Sequence, residues 1–213
     1  MNIANKIEGR GIKSIVHFTT NRGLLGIFAT NCVKSRERLN KDEHLSHIFQ
    51  PNASYRDKDK DWLDYVNLSI SRINTEFFNT SSGSWHKEKN FWWCILDFSP
   101  EILSHSGVSF TTTNNIYTSV RRGEGADSLE NMFADEILQW PGKKVCRLEN
   151  ENSFFPTCRQ AEVLYPREVS TEFLQAIYVQ ADSVADEVAG QLSAMNHRAI
   201  PIVICPDKFT DIR

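Results

Sequence analysis

RQAEVL, residues 159–164, places one carboxylate, Glu162, in a run of otherwise apolar residues that predicts a β-strand over Arg159–Tyr165. Successive side chains of a strand point to opposite faces, so Glu162 shares a face with Gln160 and Leu164. That face either lines a cleft, where a carboxylate can do chemistry, or meets solvent on an edge strand. The rest of the sequence has to decide between these two interpretations.

Further strands and helices are predicted on both sides of this segment. Apolar alternation or continuous apolar runs predict strands at Lys13–Phe18, Tyr65–Ile70, Phe91–Phe98, Gln175–Gln180 and Ile200–Cys205. Phe91–Phe98 is apolar on both faces, which is typical of a central strand. Helices are predicted from Thr20 to Asn31 and from Ser183 onward, where apolar residues recur at helical spacing. These elements predict an α+β fold whose strands are joined mainly by loops and short helices.

Two stretches are predicted to be largely irregular. Residues 32–61 are polar with mixed charges, which predicts a long loop with at most one short helix. Loops of that length in a compact domain commonly cover a ligand. In the middle of the chain, Thr111–Ile116 and Gln139–Val145 are polar and rich in turn-forming residues, whereas Ser128–Leu138 is compatible with a helix. The pair His44 and His47 lacks partners at ligand spacing, so we expect no metal site there.

Composition narrows the class of protein. The chain has 213 residues, a length that predicts one folded domain over residues 1–213. Its net charge of −3 argues against a basic surface that binds duplex DNA. Its apolar stretches fall short of the ~18 residues of a membrane span, and no signal peptide is evident. The five cysteines form no C-x-x-C pair. We therefore expect a cytoplasmic protein with reduced thiols and no membrane contact.

Three short motifs connect the chain to a known family. His17-Phe18-Thr19 ends the first predicted strand, Arg72 follows the strand at 65–70, and Gln160-Ala161-Glu162 lies in a later strand. Their order and spacing resemble the ADP-ribosyltransferase fold and, most closely, the DarT family, the DNA-modifying toxins of DarT and DarG toxin–antitoxin pairs. The resemblance extends over nearly the whole chain, to the strand at 202–204. It implies two packed, mostly antiparallel sheets with short helices around an NAD cleft.

The resemblance also implies a catalytic pair. NAD would be the co-substrate, without a metal, and Glu162 would stabilise the oxocarbenium-like transition state formed as the nicotinamide bond breaks. Arg72 would grip the NAD pyrophosphate or position the acceptor, because an arginine does not lose its proton in proteins and is therefore a poor general base. The alternatives are structural: a solvent-facing Glu162 and an ordinary surface ion pair for Arg72.

By the same resemblance, the first strand and its neighbours would bind NAD. His17 would hold the adenosine ribose through a ring nitrogen, with the Thr19 hydroxyl nearby and the strand backbone receiving the nicotinamide amide. Residues 32–61 would cover the bound NAD. The residues implied in cofactor binding are His17, Phe18, Thr19, Asn21, Tyr65 and Arg72. A histidine satisfied by local hydrogen bonds at a strand end is the alternative.

The residues before Glu162 are expected to contact the acceptor, with residues 110–157 as the substrate-binding segment. Gln160 can both donate and accept hydrogen bonds, which favours a nucleobase over an arginine as acceptor. The segment interleaves cations with aromatic residues, as single-strand-binding proteins do, although seven acidic residues lie between Arg121 and Arg159. The substrate-binding residues implied are Gln160, Arg159, Lys143, Lys144, Arg121 and Arg122. A solvent-facing Gln160 beside a turn is the alternative.

The function implied by the resemblance is NAD-dependent mono-ADP-ribosylation of a base in single-stranded DNA. The chain would act as a monomeric toxin in a toxin–antitoxin or anti-phage defence system, with a DarG-like macrodomain antitoxin as partner. Transfer to RNA or to protein is the alternative within the same chemistry. A catalytically silent module that binds NAD or nucleic acid is the alternative from another class. The sequence leaves open which base is modified.

Overall fold

A computed structural model describes residues 2–42, 45, 57–86 and 90–210 of the chain. The helices are α1 (Ile3–Arg10), α2 (Asn21–Thr30), α3 (Arg36–Lys41), α4 (Thr75–Thr80), α5 (Gly125–Asn131) and α6 (Asp182–Ala194). Short 3₁₀ turns lie at Asp57–Trp62, Pro100–Ser104, Thr171–Phe173 and Pro206–Phe209, and a π-helical turn lies at Ser81–Trp85. Within these described ranges, no helix is long and apolar enough to cross a bilayer. His44 and His47 lie outside the described residues.

One large sheet and two small ones contain the strands. The strands are β1 (Ile15–Thr20), β2 (Cys32–Lys34), β3 (Tyr65–Ile70), β4 (Trp93–Phe98), β5 (Ser109–Thr111), β6 (Arg122–Glu124), β7 (Glu136–Trp140), β8 (Lys143–Cys146), β9 (Glu162–Pro166), β10 (Glu168–Ser170), β11 (Leu174–Val179) and β12 (Ile202–Ile204). Eight of them form the sheet β12-β11-β4-β1-β3-β9-β5-β6, whose β11–β12 pair is parallel and whose other neighbours are antiparallel. β10 pairs with β2, and β7 pairs with β8. The predicted α+β class with mostly antiparallel strands is confirmed.

The junction between β1 and β3 divides the large sheet into two halves. These strands pair at Ile15–Ile70 and Val16–Ser69, whereas β1 pairs along its full length with β4 on its other side. β3 instead continues its pairing with β9, from Tyr65 to Leu68. The two halves therefore separate beyond Val16, and a gap opens between them on the side of β1 that faces β3. The two sheets expected around the cleft are therefore the two halves of one sheet, which are joined where β1 and β3 pair.

Hydrophobic residues cover the large sheet on both faces. The main core includes Ile15 of β1 and Leu68 of β3, both almost fully buried. A second, smaller cluster on the other face contains Val16, Ile95 and the aromatic residue Trp93. All six residues of β4 are buried between β11 and β1, which confirms the prediction of a central strand. This packing fixes β1 as a rigid edge of the gap.

Helix α2 forms where its capping residues predict it and supports the end of β1. The Thr20 side chain accepts a hydrogen bond from the Gly23 N–H, and Asn31 ends the helix in the left-handed region with φ of 55°. The helix packs so closely that a Cβ atom at Gly23 would collide with the side chain of Thr19. Glycine at position 23 therefore allows the first turn of α2 to lie against the last residues of β1.

Several predictions for the irregular stretches are wrong. Among the described residues of 32–61, α3 is the one short helix that the prediction allowed, but the strand β2, which pairs with β10, was not expected. Ser128–Leu138 is not a single helix, because α5 ends at Asn131 and β7 begins at Glu136. The segment 139–145, predicted to be irregular, belongs largely to the β7–β8 hairpin. These strands are only three to five residues long, so their hydrogen-bonding partners determine them more than their own apolar pattern does.

The five cysteines agree with the expectation of reduced thiols. All of them are free, and Cys32, Cys94 and Cys158 are buried. Burial raises the pKa of the Cys158 thiol, which disfavours the reactive thiolate. These cysteines therefore contribute to packing.

Candidate active site

Glu162 begins β9, and its carboxylate is held at both oxygens. The side-chain Nδ2 of Asn67 donates to Oε1 at 3.0 Å, and the backbone N–H of Asn115 donates to Oε2 at 2.7 Å. The backbone N–H of Glu162 itself donates to the Thr111 hydroxyl at 3.0 Å. β9 lies between β3 and β5, so Glu162 is not on an edge strand. Two charge-assisted hydrogen bonds fix the carboxylate in one orientation while leaving further lone pairs on each oxygen.

His17 is connected to Glu162 through Asn67. The His17 Nδ1 lies 3.0 Å from the backbone carbonyl oxygen of Asn67, the residue whose side chain holds the carboxylate. Burial lowers the pKa of His17 below its usual value, so the ring is neutral at pH 7. A neutral ring that donates through Nδ1–H to a carbonyl leaves Nε2 as an acceptor. His17 and Glu162 therefore lie on opposite sides of the gap and are aligned by one shared residue.

Asn67 is a site residue that the sequence analysis does not single out. Its only sequence signal is its position in the alternating strand β3, where Tyr65, Asn67 and Ser69 occupy the less buried face. An asparagine on the polar face of a strand is ordinary, and only the pairing of β3 with β9 places it beside Glu162. Its hydrogen bonds with His17 on β1 and with Glu162 on β9 could not be predicted without this register.

Arg122 supports the loop that holds Glu162. Its Nε donates to the side-chain Oδ1 of Asn115, and its Nη2 donates to the backbone carbonyl of Asn115 at 2.5 Å. The guanidinium also lies over the ring of Trp62, 5.6 Å from the centroid. Arg122 is predicted to bind substrate, but the hydrogen bonds that its guanidinium makes here are to Asn115 within the protein. Asn115 is thereby fixed on the side of Glu162 opposite Asn67.

Arg72 lies just after β3, against a cavity of about 220 Å³. Its Nη2 forms a 2.7 Å ion pair with Glu151 and donates to the carbonyl of Pro156 at 3.3 Å. Its guanidinium lies 4.3 Å from the centre of the Phe155 ring. Val16 is among the other residues that line the cavity. The ion pair is partly buried, so Arg72 combines a structural bond with a position at a cavity wall beside β1.

Gln160 is buried, which excludes the solvent-facing alternative. Its Nε2 donates to the Glu76 carboxylate at 2.6 Å, and its side chain also hydrogen bonds to Tyr117. Burial is the main cause that raises the pKa of Tyr117, and the negative charges of Glu76 and Glu162 add to it. Gln160, Tyr117 and Glu162 therefore share one polar environment.

A row of aromatic and cationic side chains continues outward from Tyr117. The ring of Trp140 meets Tyr117 edge-to-face at 5.5 Å, and the ammonium of Lys143 lies 4.3 Å from the centre of the Trp140 ring. Lys144, the next residue of the same hairpin, forms a 2.7 Å ion pair with Glu136. The β7–β8 hairpin thus presents one cation over an aromatic ring and one cation already paired with a carboxylate.

For several of the remaining predicted site residues, the structure shows contacts within the protein. Phe18 packs against Phe77, Phe78 and Trp93, and Tyr65 packs against Trp62. The Asn21 side chain donates to the carbonyl of Asn90 at 2.9 Å, and Thr19 lies against α2. Arg121 is exposed beside Arg122, and Arg159 is half-buried in the turn before β9. Their predicted contacts with cofactor or substrate stay predictions.

One protein-family model matches almost the entire chain. It is described as DarT, ssDNA thymidine ADP-ribosyltransferase, and it covers residues 16–210. His17, Arg72 and Glu162 all fall within the matched range. No curated protein sequence matches the chain significantly.

Solved structures with the same fold support this match. Thermus sp. 2.9 DarT in complex with carba-NAD+ aligns with a TM-score of 0.66 at 15% identity, over 93% of this chain and 98% of that one. The Thermus protein in complex with ADP-ribosylated ssDNA aligns with a TM-score of 0.65 at 15% identity, over 94% and 97% of the two chains. Thermosipho africanus DarTG in complex with ADP-ribose aligns with a TM-score of 0.58 at 14% identity, over 92% of this chain and 51% of that one. The expected fold is therefore confirmed.

Proposed function

The chain belongs to the DarT family of ssDNA thymidine ADP-ribosyltransferases, and from this membership we propose that it transfers ADP-ribose from NAD to thymine, with Glu162 as the catalytic carboxylate. One observation carries the assignment of the site. The carboxylate of Glu162 is fixed by two hydrogen bonds, and Asn67 aligns it with a neutral His17 across the gap between the two half-sheets.

The gap between β1 and β3 suits NAD. On the β3 side, β1 pairs only at Ile15 and Val16, so backbone groups beyond Val16 can receive the nicotinamide amide. His17 Nε2 can accept a hydrogen bond from a hydroxyl of the adenosine ribose. The predicted NAD-binding residues belong to this proposal, as does the role of residues 32–61 in covering the bound NAD. The Thermus relative solved with NAD+ supports NAD as the co-substrate.

Glu162 supplies the charge that the reaction requires. As the bond between nicotinamide and ribose breaks, positive charge develops on the ribose, and a fixed carboxylate stabilises that charge without reorganising. A lone pair of Glu162 also accepts a hydrogen bond from a ribose hydroxyl. Arg72 acts by positioning a phosphate or the acceptor through its guanidinium, since an arginine does not lose its proton.

The acceptor strand approaches along Gln160, Tyr117 and the β7–β8 hairpin. Trp140 offers a surface on which a base can stack, and Lys143 lies beside it to contact a phosphate. Arg121 and Arg159, which the sequence pattern assigns to the acceptor, are included in this proposed surface. The Thermus relative solved with ADP-ribosylated ssDNA supports single-stranded DNA as the acceptor.

The proposal extends to the biological setting. We infer that residues 1–213 act as one domain, as a monomer in the cytoplasm, and that the activity is that of a toxin. A DarG-like macrodomain antitoxin that removes the modification is the partner. The similarity to Thermosipho africanus DarTG, of which this chain spans about half, supports this partner.

Labelled NAD offered to several acceptors at once tests the proposed function. Single-stranded DNA, the same sequence as duplex, RNA and a cell lysate are incubated with the protein. Single-stranded DNA is expected to take up the label and duplex to take up little, because extracting a paired base costs a few kcal/mol. Label confined to protein, or equal labelling of both forms of DNA, would contradict the assignment. Intact NAD would favour the silent binding module.

His17→Ala is expected to weaken NAD binding more than it slows transfer. The ring holds the cofactor and does not touch the reacting bond, so the loss appears mainly in KM for NAD, by about tenfold. Because burial lowers the pKa of His17, the ring should stay neutral as the pH falls from about 7.5 to about 6.5. The NAD affinity of the unmodified protein should therefore not fall over this range. Calorimetric titration with NAD measures both effects.

His105→Ala is the matched control for this variant. His105 pairs with the hydroxyl of Tyr165, so its loss affects packing and not the gap. If folded His17→Ala bound NAD with unchanged affinity, His17 would have only a structural role.

Lys143→Ala is expected to weaken binding of single-stranded DNA and to reduce its salt dependence. A cation that neutralises one phosphate contributes a slope of about 0.7 in a plot of log K against log salt. Lys144→Ala is the matched control, because Glu136 already neutralises Lys144. Fluorescence anisotropy at several salt concentrations measures the slopes. Equal slopes for both variants would contradict the assignment of Lys143 to the strand's path.

A further inference from the structure

A short loop ahead of β9 holds Arg72 in place. In this loop, residues 151–157, the Glu151 carboxylate pairs with Arg72 Nη2 at 2.7 Å, and the Pro156 carbonyl accepts from the same atom at 3.3 Å. The centre of the Phe155 ring lies 4.3 Å from the guanidinium carbon. Because all three groups lie on one loop, a displacement of the loop would move them together. The position of Arg72 at the cavity wall therefore depends on how firmly the loop is held.

Arg147 holds the backbone of the 151–157 loop. It directly follows β8 and is half-buried. Its Nη1 donates to the carbonyl of Phe155 at 2.9 Å, and its Nη2 donates to the carbonyl of Asn152 at 2.8 Å. Nη1 also lies 3.4 Å from the hydroxyl oxygen of Thr157. A guanidinium presents its donors in a rigid planar fork, so two carbonyls bound at once fix the orientation of the loop as well as its position.

Arg147 reaches the loop from a fixed base. Its backbone N–H donates to the carbonyl of Asp135 at 2.8 Å, and the backbone N–H of Thr157, at the end of the loop, donates to the carbonyl of Met132 at 2.9 Å. Met132 is fully buried in the main core. Arg147 and the end of the loop are therefore attached to one short segment, residues 132–135, and the guanidinium fastens the rest of the loop.

We propose that Arg147 is a positioning residue for the transfer of ADP-ribose, and that it sets the place of Arg72 by holding the carbonyls of Asn152 and Phe155. The inference rests on the proposed function, in which Arg72 positions a phosphate or the acceptor. Arg147 lies among the cations of residues 110–157 that are expected near the DNA, but both of its Nη atoms donate to the loop. It therefore acts on the reaction without contacting NAD or DNA.

Arg147→Lys tests this role because it keeps the charge and removes the fork. An ammonium can still contact a phosphate, but it cannot hold two carbonyls in one plane. We expect kcat/KM for transfer to single-stranded DNA to fall by about fivefold, because small displacements of a positioning group slow a reaction strongly. Urea denaturation establishes that the variant is folded at the temperature of the assay. A kcat/KM equal to that of the unmodified protein would overturn the inference.

A double-mutant cycle with Arg72→Ala shows whether Arg147 acts through Arg72. The value of kcat/KM is measured for the unmodified protein, for each single variant and for the double variant. Because the two residues act as one unit, Arg147→Lys should lower kcat/KM by less than about twofold once Arg72 is alanine. An undiminished loss in the Arg72→Ala background would show that Arg147 acts independently, and would overturn the inference. If the unmodified protein labels no DNA, the proposed function itself fails.

Arg198→Lys is the matched control. Arg198 also donates to backbone carbonyls, those of Thr171 at 2.6 Å and Glu172 at 3.3 Å, just before β11. β11 belongs to the half-sheet that contains β1, whereas Arg72 follows β3 in the other half. This variant loses the same kind of fork, and its kcat/KM should stay within about twofold of the unmodified value. An equal loss in Arg198→Lys would mean that the effect of Arg147→Lys is a general loss of stability, and would also overturn the inference.

Discussion

Glu162→Gln is expected to lower the rate of ADP-ribose transfer by at least about 100-fold while NAD binding changes little. The carboxylate acts on positive charge that exists only in the transition state, and an amide of the same shape cannot stabilise that charge. The substitution also replaces one of the two accepting oxygens with an NH2 group, which then faces a donor, either Asn67 Nδ2 or the Asn115 N–H. The rate of nicotinamide release, with NAD affinity from titration, measures both effects.

Glu168→Gln is the matched control for this variant. Glu168 is an exposed carboxylate on β10, only a few residues further along the chain. It should transfer ADP-ribose at close to the unmodified rate. If folded Glu162→Gln kept most of the activity, Glu162 would not be the catalytic carboxylate.

Arg72→Ala is expected to reduce both stability and transfer. The side chain of Glu151 is 11% exposed, so removing its cationic partner leaves a mostly buried charge unpaired, at a cost of about 3 kcal/mol. The loss of the guanidinium from the cavity wall beside β1 should also lower the transfer rate by about tenfold or more. Urea denaturation measures the free energy of unfolding, and the rate is measured at a temperature where the variant is folded.

Glu151→Gln separates the two roles of Arg72. It removes the ion pair but keeps the guanidinium, which still contacts Pro156 and the Phe155 ring. The free energy of unfolding should fall, and the transfer rate should fall much less than in Arg72→Ala. Equal losses of rate in the two variants would mean that Arg72 acts only through stability.

The elements that the sequence predicts well are those with a strong local signal. β3 has strict apolar alternation, β4 is apolar on both faces, and α2 has Thr20 and Asn31 at its ends. For each of these, the residues that specify the element lie within it or directly beside it. Helix α6 follows the same rule, with its buried face formed by Val188 and Leu192.

The elements that the sequence misses depend on distant partners. β2 is a strand because β10, more than 130 residues later, pairs with it. In the β7–β8 hairpin, β8 has no buried residue and one of the two buried residues of β7 is the polar Gln139, so the apolar pattern is weak. In neither case is the local apolar pattern strong enough to predict a strand within a segment of polar composition.

The candidate site divides in the same way. Glu162, His17 and Gln160 can be chosen from the sequence because their motifs occur in a characteristic order. Asn67 and Asn115 cannot, because an asparagine in a strand or a loop is common. Their importance comes from the register of β3 on β9 and from the placement of Arg122, which only the fold reveals.

Mass spectrometry of nucleosides tests the central claim most directly. Single-stranded DNA containing all four bases is incubated with NAD and the protein, digested to nucleosides and compared with the same reaction of Glu162→Gln. The account predicts that thymidine alone gains the mass of one ADP-ribose group, and that the product is absent with Glu162→Gln. Consumption of NAD with every nucleoside unmodified, or the modification on another base, would contradict it.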